Sequence, residues 1–395
     1  MKKILSVILC FVMFVAVSIT VVNLFDKNYS NAENEKRINE DLPTEEQINE
    51  FNIKRENKCF YYFDCLSEDE KDSYITMYYG FCNFDDSIMF STADIDVSKV
   101  FIAVLYDNPD VFWVELKYEY LKYEESLEFK PQYRISREDA SKMSDDVNER
   151  IDSIMSEIDS LKSDYDKELY IHNYILDITE YDMDTYEGIG DTVYSSLVMG
   201  RSICEGYART VQILFDKAGI DNYLVTGEVE IDGKIEPHMW NIVNIDGDNY
   251  HLDCTWDDIN MQDDKVHFYF NVSDEVILRD HMNIEPDGNN CDTMEANYFI
   301  VENAYVDEFE GFLKHVDRTA EKLKGGENTV EFYFMNPIDY KNALDCIAND
   351  KSFFDFVNKS VKKSGRVLNV TVVDYYTIDN YNYLCIVFKE GWLDG

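Results

Sequence analysis

Between Ser202 and Asp258 one helical pattern is followed by three short apolar runs, and that order constrains the architecture more than any other feature of the 395 residues. Ala208, Val211, Leu214, Phe215 and Ala218 recur at helical spacing, and Gly219 suits the left-handed stop after a last turn. Ser202 and Glu205 have the spacing of a capping box, which predicts a helix with Cys204 in its first turn. Tyr223 to Ile231, His238 to Val243 and Tyr250 to Cys254 then read as strands. Asp232-Gly233 and Asp246-Gly247 separate them, and such dipeptides favour two-residue hairpin turns. A helix followed by a strand meander predicts an α+β core.

The first turn of a helix leaves N–H groups without intrahelical acceptors, and the dipole there favours negative charge. A cysteine at that position suits a thiolate nucleophile, and the same amides suit the oxyanion of an acyl-transfer intermediate. Gly206 places no side chain near the sulfur. A buried structural cysteine is the commoner fate of such a residue, so the neighbours decide. If Asp246-Gly247 forms the turn, Ile245 faces Asp248, Trp240 faces Asp253, His238 faces Thr255 and His251 faces Ile242. His238 and Asp253 are then diagonal neighbours, about 7–8 Å apart at the backbone and within reach of an imidazole–carboxylate hydrogen bond. Cys204, His238 and Asp253 therefore form a candidate nucleophile, base and orienter. A zinc site drawing in His251 is disfavoured, because that register puts it about 13 Å from His238. His172 lies among Tyr165, Leu169 and Ile175 on one helical face and reads as a core histidine.

Three blocks carry a resemblance: Arg201-Ser202-Ile203-Cys204-Glu205-Gly206-Tyr207-Ala208, His238-Met239-Trp240-Asn241, and Leu252-Asp253-Cys254-Thr255-Trp256-Asp257-Asp258. In order and spacing they resemble the bacterial transglutaminase-like superfamily. Ile171-His172-Asn173-Tyr174-Ile175 resembles its leading helix, and Asp107-Asn108-Pro109-Asp110-Val111-Phe112-Trp113 a segment that precedes the core in exported members. Phe270-Asn271-Val272-Ser273-Asp274 resembles the stretch after it. The resemblance implies a papain-like α+β core with Cys204 as nucleophile, His238 as base and Asp253 as orienter. It implies an acyl-thioester on a protein or peptide substrate, with cell-wall peptide as one class. An amine would resolve the thioester in a cross-linking acyltransferase, and water in a peptidase or amidase. It implies no cofactor and no metal. The alternative is a non-catalytic surface binding or assembly protein that keeps the fold.

The surroundings of the core follow from composition. Residues 1–32 read as a signal peptide or membrane anchor: Lys2 and Lys3 precede an apolar run, residues 4–25, long enough to span a bilayer. Ser30-Asn31-Ala32 has small residues where a signal peptidase reads. The rest is expected at the cell surface or outside the cell, with membrane contact only through residues 4–25. Lys plus Arg number 36 against 79 Asp plus Glu, a net charge of −43, which repels phosphate backbones and excludes nucleic acid as a partner. The nine cysteines are irregularly spaced without a CxxC, so no disulfide scaffold is required. Residues 33–48 read as a linker, 49–160 as an N-terminal α+β domain, 161–285 as the catalytic domain and 296–395 as an accessory α+β domain. In the N-terminal domain, helices are expected at 68–81, 97–106 and 136–160. Strands are expected at 111–114, 118–121 and 128–135, the last an edge strand because of Pro131. In the C-terminal domain, strands are expected at 330–334, 368–373 and 383–388, with helices at 337–347 and 353–363.

Overall fold

The computed structural model describes residues 18–21, 31–92, 94–184, 188–231, 233–258, 265–327, 329–350, 352–363, 373–378 and 381–388. The chain has an α+β architecture of helices and small sheets in two units. The first unit comprises Met1–Thr255 with Ser273–Asp292, and the second Trp256–Val272 with Thr293–Gly395. The segments 49–160 and most of 161–285 therefore share one unit, and residues 256–272 join the C-terminal segment.

In the first unit, helices Glu68–Cys82 and Val97–Asp107 start at side-chain caps. Ser67 and Glu70 form a capping box, and Asp96 accepts the Lys99 amide. Their buried faces pack Tyr74, Met77, Phe81 and Phe101 against Tyr118 and Phe129 of a sheet. That sheet runs in the order Ser18–Val21, Val114–Lys122, Leu127–Tyr133, Ile88–Phe90. Three expectations fail here. Residues 33–48 do not form an unstructured linker: helices Asn31–Asp41 and Glu45–Glu56 occupy most of them, the second started by a Thr44–Gln47 capping box and held by buried Phe51. Residues 111–113 are not strand. The chain turns after Pro109, with the Val111 amide on Asn108 O, and only Val114 joins the ladder. The strand carrying Pro131 is internal, not an edge. The proline is tolerated because the outer neighbour pairs only with residues 127–129.

Ser18–Val21, inside the apolar run, pairs in parallel with Lys117–Tyr120. The rest of that run, with Lys2 and Lys3, lies outside the described residues. Among the described residues no helix is long and apolar enough to cross a membrane.

The core of the first unit stacks helices Arg137–Ile158, Asp164–Ile178 and Cys204–Ala218 near a four-stranded antiparallel sheet. Its order is His281–Glu285, Asn222–Ile231, Lys234–Ile245, Asp248–Leu252. The strand pairings flank both Asp-Gly dipeptides as expected: Ile231 pairs with Lys234 and Ile245 with Asp248, and Asp246 and Gly247 both have positive φ. Ala208 on the helix meets Leu224 and Met239 on the sheet, and Asn241 Nδ2 donates to Ala208 O at 3.0 Å.

The second unit packs Phe312, Val316, Tyr340 and Phe353 from four helices onto Phe332, Phe334 and Leu384 of a sheet. The sheet order is Tyr305–Val306, Thr329–Phe334, Tyr383–Phe388, Val373–Ile378. Asn336 caps the helix that begins at Pro337. Residues 368–372 of the expected strand lie outside the described residues.

Candidate active site

Cys204 opens helix Cys204–Ala218 as expected, but not through a capping box. Ile203 is the N-cap and provides no side-chain bond. Ser202 lies in a two-residue strand, and its hydroxyl meets Gly190 O at 2.7 Å and Ser195 Oγ at 2.9 Å. Glu205 instead accepts Arg209 Nη2 at 2.7 Å and Nε at 3.0 Å. Arg209 Nη1 donates to Leu105 O, and Gln212 Nε2 to Tyr106 O, both at 2.7 Å. The helix is thus fixed at its start by loop 188–202 and along its length by helix Val97–Asp107 of the same unit. Gly206 also has a different reason from the one expected. A Cβ there would lie 1.9 Å from Ser202 Oγ and 3.0 Å from Gly190 O, so the glycine admits the loop and not a substrate.

His238 and Asp253 meet. Their Nε2 and Oδ2 atoms are 2.6 Å apart, and both residues are buried. Cys204 is a neighbour of the same imidazole and favours its charged form. Burial opposes a charge on His238, but the Asp253 carboxylate and its hydrogen bond, aided by Cys204, outweigh it and raise the imidazole pKa to about 9. Burial likewise pushes Asp253 up, and the facing imidazoles outweigh it and hold the carboxyl well below its usual range. The expected register holds as far as Asn241–Leu252. There the ladder stops, because residues 254–257 turn into a short helix. Thr255 therefore does not face His238; its amide donates to Asp253 Oδ1 at 2.9 Å.

His281 is the residue the sequence pattern did not reveal. Its Nε2 lies 3.2 Å from Asp253 Oδ2 and its Nδ1 2.6 Å from Asp280 Oδ1. It arrives on the far edge strand, where His281 pairs with Val229. Gly227 sits between, with Trp240 over it: a Cβ at 227 would be 2.7 Å from the indole and 2.9 Å from Met282 O. The absence of a side chain at 227 lets Trp240 lie flat beside His238 and meet His281 edge to face.

Two groups of ligand-type side chains converge among the described residues: His238, Asp253 and His281, and His251, Asp274 and Cys291. Neither has the form of a metal centre. Tetrahedral ligands about 2.0 Å from an ion lie about 3.3 Å apart, whereas His238 and Asp253 are at the 2.6 Å of a charge-assisted hydrogen bond. In the second group Trp240 Nε1, a donor only, points at His251 Nδ1 at 3.0 Å. The His251 proton must then sit on Nε2, which donates to Asp274 Oδ1 at 2.8 Å and has no lone pair for a cation. Burial, opposed by Asp274, lowers the His251 pKa, in keeping with a neutral ring. His172 is fully buried in helix Asp164–Ile178. All eight described cysteines are free thiols.

The family described as the transglutaminase-like superfamily matches residues 152–254, which include Cys204, His238 and Asp253. No curated protein matches the chain. Among solved structures, one described as a TGase shares 15% identity over 36% of this chain and 52% of its own, with a TM-score of 0.26. A candidate cysteine protease from Cytophaga hutchinsonii shares 12% identity over 33% of this chain and 53% of its own, with a TM-score of 0.25. A candidate protease from Parabacteroides distasonis shares 13% identity over 37% of this chain and 36% of its own, with a TM-score of 0.22. The chain thus spans about half the length of the first two structures, and these likenesses are too partial to carry an argument.

Proposed function

Residues 152–254 belong to the transglutaminase-like superfamily, and from that premise we propose that the chain is a thiol enzyme forming an acyl-thioester at Cys204 on peptide or amide substrates. One observation carries the reading: a cysteine at a helix start neighbours, and favours the charge of, an imidazole that is itself held by a buried carboxylate at 2.6 Å. The Cys204 thiolate attacks the acyl carbon. The backbone N–H of Cys204 is the donor for the developing oxyanion. The His238 imidazolium gives its proton to the departing nitrogen, and the C–N bond breaks to leave the thioester. His238, now neutral, takes a proton from an incoming amine or water, which displaces sulfur and restores the ion pair. Asp253 holds the imidazole orientation and its charge.

The chain acts outside the cytoplasmic membrane in this reading, supported by the charge-free run of residues 4–25 behind Lys2 and Lys3. Protease added to intact cells then degrades residues 49–395; protection until lysis overturns the location. A mass-spectrometric screen of Gln-containing and cell-wall peptides, with and without an amine donor, tests the chemistry. Transfer or hydrolysis that Cys204→Ala abolishes supports it. A biological activity that survives Cys204→Ala gives the site to a binding or assembly role.

A further inference from the structure

Asp253 serves two histidines at one oxygen. Oδ1 accepts the Thr255 amide, so Oδ2 receives His238 Nε2 at 2.6 Å and His281 Nε2 at 3.2 Å. The second nitrogen of His281 meets Asp280 Oδ1 at 2.6 Å. A neutral imidazole offers one N–H and one lone pair. Both His281 nitrogens face carboxylate oxygens, where a lone pair would be repelled, so both carry protons and the ring is a cation. It is 1% exposed, and a buried cation persists only where paired.

We propose that His281 is a cationic positioning residue that shares Asp253 with His238 and thereby limits the pH up to which His238 keeps its proton. It rests on the thiol-enzyme reading for its consequence, but not for its geometry. A lone Asp253 carboxylate would act on His238 with its full charge. With His281 on the same oxygen, part of that field is cancelled, and the His238 cation has a like charge 5.5 Å away between ring centres. The other groups around His281 do not supply this charge. Trp240 meets it edge to face at 4.9 Å, and His251, whose protonation His281 disfavours, is neutral. Val229 pairs with His281 across the strands, and Glu228 pairs with Met282. Burial works against the His281 charge, but the hydrogen bonds to Asp253 and Asp280 outweigh it and raise its pKa.

The test is nitrogen-15 NMR of the full chain labelled at histidine, from pH 5 to 10, on the unmutated protein and on His281→Gln. Glutamine keeps an N–H for Asp253 and removes the charge. In the unmutated chain both ring nitrogens of His281 should be protonated at pH 7. In His281→Gln the His238 titration should move up by about one pH unit. A neutral His281 at pH 7 overturns the proposal, even where the variant does not fold. An unmoved His238 titration in a folded variant also overturns it and leaves a purely structural role. Alkylation of Cys204 in the unmutated chain keeps the two readings separable. A thiol no more reactive at pH 6 than a free cysteine removes the thiol-enzyme reading, while the NMR still decides the charge on His281.

Discussion

A buried histidine–carboxylate pair stands in each unit, His238–Asp253 in the first and His267–Glu331 in the second, and the two differ in what surrounds them. In the first unit His238 meets Asp253 at 2.6 Å; in the second His267 Nδ1 meets Glu331 Oε2 at the same 2.6 Å. A cysteine is near each. Cys385 sits directly across the ladder from Glu331, and Tyr383 donates its hydroxyl to Glu331 Oε1 at 2.8 Å. Distance and residue type therefore do not separate the two. Backbone does. Cys385 lies in a strand paired on both sides, where its amide belongs to the ladder. Cys204 lies at a helix start, where amides point outward and the dipole favours a thiolate. The imidazoles differ too. His267 lies flat on Tyr298, at 3.9 Å and 6°, and its own amide is tied to Glu331. The first arrangement suits chemistry; the second holds strands and loop together.

Removing a member of each set sharpens this contrast most. Cys204→Ala should lower turnover by about 10⁵-fold or more while the protein still folds, and His238→Ala should come close to it. The double variant should be little worse than either single one, because the groups act as a unit. Asp253→Asn should retain more activity than either, since the carboxylate touches only the base. In the second unit, Glu331→Gln should leave Cys204 alkylation unchanged and cost about 1–3 kcal/mol in denaturant unfolding, the usual penalty for disrupting a buried hydrogen-bond network. A Glu331→Gln variant that lost acyl chemistry without losing stability would erase the distinction drawn between the pairs.

Gly206→Ala probes the helix start directly. The new methyl meets Ser202 and loop 190–192, so a loss of about 1–3 kcal/mol in stability is expected, with slower Cys204 alkylation. Thermal unfolding and alkylation of the same sample would show whether both move together. The gentlest lever is pH. His238 has a folded pKa of about 9 against an ordinary 6.5, so the stability from its charge is fully present below 6.5 and is lost as pH rises through 9. Acyl transfer needs the same proton for the leaving nitrogen and should fall about tenfold per pH unit above 9. A rate profile flat to pH 10.5 would mean that His238 is not the acid.

Much of the candidate site was legible because it is built from local signals. The helix after Cys204, its Gly219 stop and the two Asp-Gly hairpins are short-range patterns, and they fix the register that carries His238 toward Asp253. What was not legible depends on distant partners. Ser202 and Glu205 have capping-box spacing, but a serine cluster and Arg209 compete for them and win. Thr255 left the strand because residues 254–257 coil at the ladder's end. His281 follows Asp253 by 28 residues and pairs on the opposite edge of the sheet, so nothing beside it in sequence advertises the contact. A polar histidine between Asp280 and an alternating segment was the only local hint. In the N-terminal region the helices at Glu68 and Val97 were expected from sequence, whereas helix Asn31–Asp41 has little apolar periodicity and is placed by contacts such as Arg37 with Glu128 at 2.8 Å.

The ties from Arg209 and Gln212 to the carbonyls of Leu105 and Tyr106 have a consequence for biogenesis. Translation runs from the N-terminus, so those acceptors exist about a hundred residues before the side chains that seek them. The nucleophile helix emerges onto a scaffold already made and need not wait with a bare guanidinium. The edge strand bearing His281 emerges later than the thiol and its base. A ribosome paused between Asp253 and His281 would therefore display a thiol and a base whose charge balance is still unfinished, and the last strand to pair is the one that completes it.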